Sequence, residues 1–126
     1  MLHWRHCLSK LVVTAPDILS VESLGDSVIM KLRLQPELDY FKGHFPGVPI
    51  LAGVVQLNWA IQYAQQYLGY AEQLVVNVEV LKFQVVLSPN LAVNLHLEKK
   101  SANKAMFKYT SAKGVHASGR IVFESV

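Results

Sequence analysis

Cysteine is nearly absent: Cys7 is the single one in 126 residues. No disulfide can close within the chain, and no Cys/His cluster has zinc spacing, so neither a disulfide scaffold nor a zinc site is expected. Charge is also scarce, at 17% of residues, and between Lys42 and Glu72 there is no Asp, Glu, Lys or Arg. The opening MLHWRHCLSKLVVTAP has no apolar run of signal-peptide length and is broken early by charge, which makes the cytoplasm the expected location. Repeats, low-complexity tracts and linkers are missing, so residues 1–126 read as one domain. The net charge of +3 is too small an excess for a nucleic-acid-binding surface; it describes a solvated surface or one that meets an acidic protein.

What is present is apolar. Hydrophobic residues make up 52% of the chain, enough for a large interior or a buried oligomer interface. In VIMKLRLQ, Val28, Met30, Leu32 and Leu34 share one face while Lys31 and Arg33 take the other, the pattern of a half-buried strand. The stretch QPELDYFKGHFPGVPILAG is dense in Gly and Pro and reads as a long ordered loop. GVVQLNWAIQYAQQYLGY then repeats Val54, Leu57, Ile61, Ala64 and Leu68 at helical spacing, with Gly69 as the stop. Val55, Trp59, Ala60, Tyr63 and Tyr67 widen the apolar surface beyond one stripe, which predicts a helix enclosed by protein. Gln56, Asn58, Gln62, Gln65 and Gln66 are too many amides for a membrane span.

The second half is rich in strands. LVVNVEVLKFQVVL, LAVNLHLEKK, KAMFKYT and VHASGRIVFE are separated by turn signals. Leu91, Val93, Leu95 and Leu97 form one inner face, Ala105, Phe107 and Tyr109 a second, and Val115, Ala117, Ile121 and Phe123 a third. His96 and His116 fall on the polar faces and are expected in solvent. The architecture predicted is α+β, one buried helix against five or six antiparallel strands.

Chemistry concentrates between Phe41 and Gln62. His44 sits in a rigid Gly/Pro loop, and Gly53 opens the helix, where backbone N–H groups lack intrahelical partners. That helix end favours an oxyanion or a polarised carbonyl, and a glycine there admits a substrate close to the backbone. A structural histidine bonded within its loop is the plainer reading of His44.

The same segment closely resembles the active-site motif of the hot-dog 3-hydroxyacyl-acyl-carrier-protein dehydratases of the FabZ and FabA type. Gly43, His44, Phe45, Pro46, Gly47, Pro49, Gly53 and Gln62 match that pattern. The run PILAGVVQLNWA is more similar to the thioester dehydratases of aryl-polyene-type pathways, the ApeI-like branch. Lys82-Phe83, Val85 and Ser88-Pro89 resemble a further strand and turn of the family. Two positions depart from it. Ala52 replaces a usual proline, and Asn58, fourteen residues after His44, stands where the family carries a catalytic Glu or Asp.

The resemblance implies a hot-dog fold, a long helix wrapped by an antiparallel sheet. It implies removal of water from 3-hydroxyacyl thioesters on an acyl carrier protein. His44 would be the base, the Gly53 N–H the carbonyl donor with that of Val54 beside it, and Asn58 a hydrogen-bonding substitute for the acid. In the family that helix residue comes from the second protomer, so a homodimer, or a heterodimer with another hot-dog subunit, is expected. Phe45, Pro49, Val54, Trp59 and Phe83 are expected to line the substrate. Lys82, Lys99 and Lys100 are expected to dock the carrier protein, with a solvated lysine face as the plainer reading. No cofactor or metal is called for. Because Asn58 cannot act as an acid, a catalytically weakened subunit paired with an active chain is one alternative, and a hot-dog thioesterase another.

Overall fold

The structure is a computed structural model and describes residues 14–41 and 50–125. Strands β1 (Asp17–Leu24) and β2 (Ser27–Arg33) form a hairpin, and a short 3-10 turn follows at Asp39–Phe41. Helix α1 (Gly53–Tyr67) leads into β3 (Gln73–Phe83), β4 (Ala92–Lys99), β5 (Lys104–Ser111) and β6 (Gly114–Ser125). All six strands join one antiparallel sheet in the order β1-β2-β4-β5-β6-β3.

The alternation in β2, β4 and β5 sets the inner face of the sheet. Val28, Met30, Leu32, Val93, Leu95, Leu97, Ala105, Phe107 and Tyr109 are all buried there. Their outward neighbours, such as Lys31 and Asn94, face water. In β6, Ala117, Ile121 and Phe123 are buried as expected, but Val115 is only half-buried. The register of β5 against β6 slips between Tyr109 and Thr110, near the hairpin turn, which explains why the alternation fails at that end.

Helix α1 buries Gln56, Trp59, Ala60, Tyr63 and Ala64. This stripe is rotated from the one read at Val54, Leu57 and Ile61. Val54 is 73% exposed, and Asn58, Gln62 and Gln66 follow it at four-residue spacing on the same open face. The expected enclosure is therefore one-sided: uncharged amides tolerate water as well as protein, so the absence of charge does not by itself report burial. The helix stops at Gly69, whose φ of +83° suits glycine.

Two other differences concern the sheet edges. Strand β1 has no counterpart in the sequence pattern, because its residues are exposed on both faces and carry no periodic signal. The run from Leu74 to Leu87 is not one strand: β3 ends at Phe83, after a register slip between Glu79 and Lys82 where Val80 has φ +52°. The segment after Phe83 leaves the sheet and crosses toward the start of the helix, where Leu51 N–H donates to Leu87 O at 2.8 Å.

Candidate active site

Among the described residues, the first donors of the helix start meet no acceptor. Ala52 occupies the N-cap and has no side chain to offer. Its carbonyl accepts from Val55 and Gln56 N–H at 3.1 and 3.3 Å. No group among the described residues accepts from the N–H of Gly53 or Val54. These two donors, at the positive end of the helix, suit a carbonyl oxygen gaining negative charge.

Beside them lies a cavity of about 450 Å³, whose lining includes Gly53, Gln56, Phe83, Val85, Val86 and His116. It is within the size range of small-molecule sites. Phe83 packs on the helix start so tightly that a Cβ at position 53 would stand 2.7 Å from its ring. Glycine thus leaves space here, and the neighbour that uses it in the structure is the half-exposed Phe83 ring.

His116 corrects an expectation. It is fully buried, not solvated. Its Nδ1 lies 3.1 Å from Val85 O, and its Nε2 lies 2.6 Å from Ser111 Oγ. A carbonyl can only accept, so Nδ1 carries the proton and, in the neutral ring, the Ser111 hydroxyl donates to Nε2. The His116 carbonyl in turn accepts from Gln84 N–H at 2.9 Å. Histidine at 116 therefore clamps the segment after β3, which forms the cavity wall, onto β6. The sequence carried a faint signal: Ser111 and His116 flank the hairpin turn that joins β5 and β6.

A second cavity, of about 320 Å³, is lined by Tyr40, Val54, Val55, Leu57, Asn58 and Ile61. Gly53 and Asn58 thus line different cavities on different sides of one helix.

Of the other expected site residues, His44, Phe45 and Pro49 lie outside the described residues. Trp59 is 2% exposed, donates from Nε1 to Thr14 O at 3.1 Å and meets Tyr40 edge-on, so it packs in the core and lines neither cavity. Lys82 is exposed on β3 next to Phe83. Lys99 and Lys100 sit elsewhere: Lys99 Nζ lies 5.4 Å from the Tyr70 ring centre, just beyond the far end of the helix, and Lys100 pairs with Glu98 at 3.1 Å. The three lysines do not form one surface. Among the described residues no cluster of His, Cys, Asp and Glu could hold a metal ion, and no helix is long and apolar enough to cross a membrane.

One helix against a six-stranded antiparallel sheet in this order is the hot-dog fold, and solved structures agree. The chain superposes on one from the dehydratase heterocomplex ApeI:P of Xenorhabdus doucetiae with a TM-score of 0.79 and 30% identity, covering 86% of this chain and 97% of that one. An uncharacterized protein from Erwinia carotovora subsp. atroseptica matches with a TM-score of 0.77 and 29% identity over 89% and 98% of the two chains. Among curated proteins, the 3-hydroxyacyl-[acyl-carrier-protein] dehydratase FabZ of Levilactobacillus brevis is 28% identical over 71% of this chain and 66% of its own length, just under two thirds. The sequence model of the ApeI-like family, described as ApeI dehydratase, matches residues 20–120. The chain belongs to this ApeI-like dehydratase family of hot-dog proteins.

Proposed function

We propose that this protein is a cytoplasmic dehydratase that converts 3-hydroxyacyl thioesters, carried on an acyl carrier protein, into 2-enoyl thioesters for fatty-acid or polyene-type synthesis. The observation that carries this reading is the N–H pair of Gly53 and Val54, which meets no acceptor among the described residues, with Gly53 lining an apolar cavity, in a chain of a dehydratase family. Those donors would hold the thioester carbonyl and make the C2 proton removable. His44 takes that proton as base, and the C2 electron pair forms the double bond as the C3–O bond breaks. The hydroxyl leaves with the proton returned from His44, so the balance is one water and one 2-enoyl thioester, with no oxidant or cofactor.

Asn58 holds the leaving hydroxyl or a water through its amide. Because Gly53 and Asn58 line different cavities, a complete site takes Asn58 from a second chain. Strand β3 supports pairing: it is an edge strand and carries exposed Leu74, Val76 and Val80, the kind of apolar edge that a partner chain covers. That partner is a second copy or another hot-dog subunit. The weakened-subunit reading has its own support in Asn58 and in the similarity to a chain of a dehydratase heterocomplex.

The test is turnover of a 3-hydroxyacyl carrier protein by wild type, His44→Ala and Asn58→Asp. His44→Ala should lose at least about 100-fold, and Asn58→Asp should retain or gain rate. Unchanged turnover in His44→Ala would remove the mechanism. A wild type that is inactive alone and turns over after a second hot-dog chain is added would favour the weakened subunit.

A further inference from the structure

One buried side chain of the cavity wall carries a polar atom with no partner among the described residues. Gln56 lines the cavity and is 4% exposed. Its Nε2 donates to Leu51 O at 3.1 Å. A carbonyl can only accept, so this bond fixes the amide's orientation and leaves Oε1 as the free end. No group among the described residues donates to Oε1. The residue cannot readily turn to find one, because its N–H is bonded to Ala52 O at 3.3 Å and its backbone carbonyl accepts from the Tyr109 hydroxyl at 2.7 Å. His116, the other buried polar side chain of this wall, has both ring nitrogens engaged. Native interiors rarely leave such an acceptor bare, and an exception calls for a reason.

We propose that Gln56 Oε1 accepts a hydrogen bond from the hydroxyl of the bound acyl chain, and so selects a hydroxyacyl thioester over its saturated or dehydrated counterpart. This rests on the dehydratase reading and adds a specificity residue to it. An acceptor requires a donor, and along the acyl chain the hydroxyl is the group that supplies one; the thioester carbonyl is itself an acceptor and belongs to the Gly53 and Val54 donors. Gln56 lies three residues into the helix from Gly53, a rise of about 4.5 Å, comparable with the span from a thioester carbonyl to a hydroxyl two carbons away. Loss of water removes the donor, so the product leaves Oε1 unpaired and is held less tightly than the substrate.

The experiment uses three amide analogues of octanoyl-pantetheine, in which nitrogen replaces the thioester sulfur, bearing hydroxyl, methoxy or hydrogen at C3. The amide and pantetheine N–H groups are common to all three. Calorimetry should give wild type about tenfold tighter binding of the hydroxyl ligand than of either other ligand. Gln56→Leu should bind all three alike, with affinity for the C3-hydrogen ligand kept. Equal binding of the three ligands by wild type, or a hydroxyl preference retained in Gln56→Leu, would overturn the proposal while leaving the dehydratase reading intact. Failure of wild type to bind any of them would overturn both. The wild-type ligand series stands by itself if the variant does not fold.

Discussion

The hydroxyl of Tyr109, at the centre of the sheet, donates to the backbone carbonyl of Gln56 in the first turns of the helix at 2.7 Å. Both residues are buried, so this bond fixes the helix start against β5 where Gly53 meets the cavity. Burial, and secondarily the neighbouring Tyr63, holds the Tyr109 phenol well above its usual range. A phenol raised in the folded state contributes stability that is fully present below the unfolded value, about 10, and is lost as pH rises toward the folded one. Tyr63 and Tyr70 are raised as well, chiefly by burial, and act in the same direction. Urea unfolding should therefore give constant stability up to about pH 9 and a fall above about pH 10. Tyr109→Phe should cost about 0.5–1.5 kcal/mol at neutral pH and show a shallower alkaline fall. An alkaline fall of undiminished slope in Tyr109→Phe would assign it to other groups.

Gly53 and Phe83 make a second prediction. A methyl at position 53 meets the Phe83 ring at 2.7 Å, but that ring is half-exposed and can swing aside. Gly53→Ala should therefore cost less than about 1 kcal/mol in stability, yet slow turnover about tenfold or more as the displaced ring enters the cavity. Gly53→Ala/Phe83→Ala should recover part of that loss. Thermal melts and steady-state rates check both halves; lowered stability with unchanged turnover contradicts the placement.

His116 is expected to act on the fold, by holding a wall. His116→Phe leaves Val85 O and Ser111 Oγ without their ring partner and should cost about 1–3 kcal/mol. Ser111→Ala should cost less, because the Nδ1 bond to Val85 remains. Hydrogen exchange read at residues 84–87 should rise in both variants, more in the first. Unchanged protection there would show that the clamp is incidental.

The lysines divide. Lys82 adjoins Phe83 at the cavity rim, whereas Lys99 and Lys100 lie toward the opposite end of the 15-residue helix, roughly 20 Å away along its axis. Lys82→Glu should raise KM for an acidic carrier protein several-fold at low salt, with the effect fading as salt is added. Lys99→Glu and Lys100→Glu should change KM little. A pantetheine-linked substrate without carrier protein should be indifferent to all three.

The parts of the fold that were legible in the sequence are those where burial follows a period. Met30, Leu32 and Leu34, then Val93, Leu95 and Leu97, then Ala105, Phe107 and Tyr109 all go inside, because the inner face of a sheet demands every second residue. The helix was legible in extent but not in rotation. Gln56 turns inward since its amide bonds Leu51 O, while Val54 is left outside; a scale of hydrophobicity ranks the two in the opposite order. Strand β1 was hidden because it buries neither face. The burial of His116 is not legible in the sequence, because a slipped hairpin end and a crossing segment bury a position that alternation assigns to solvent. In the site, Gly53 and Phe83 could be named from motif alone, but their mutual contact, and the separation of Gly53 from Asn58, are tertiary facts with no local signature.

Intact mass spectrometry of a 3-hydroxyacyl carrier protein after incubation with this chain separates dehydration from hydrolysis and from inactivity. The acylated carrier should lose the mass of one water and keep its acyl arm, and the change should fail to occur with His44→Ala. Appearance of the free-thiol carrier with release of the whole acyl group, or an unaltered carrier mass in the presence of every hot-dog partner supplied, would contradict it.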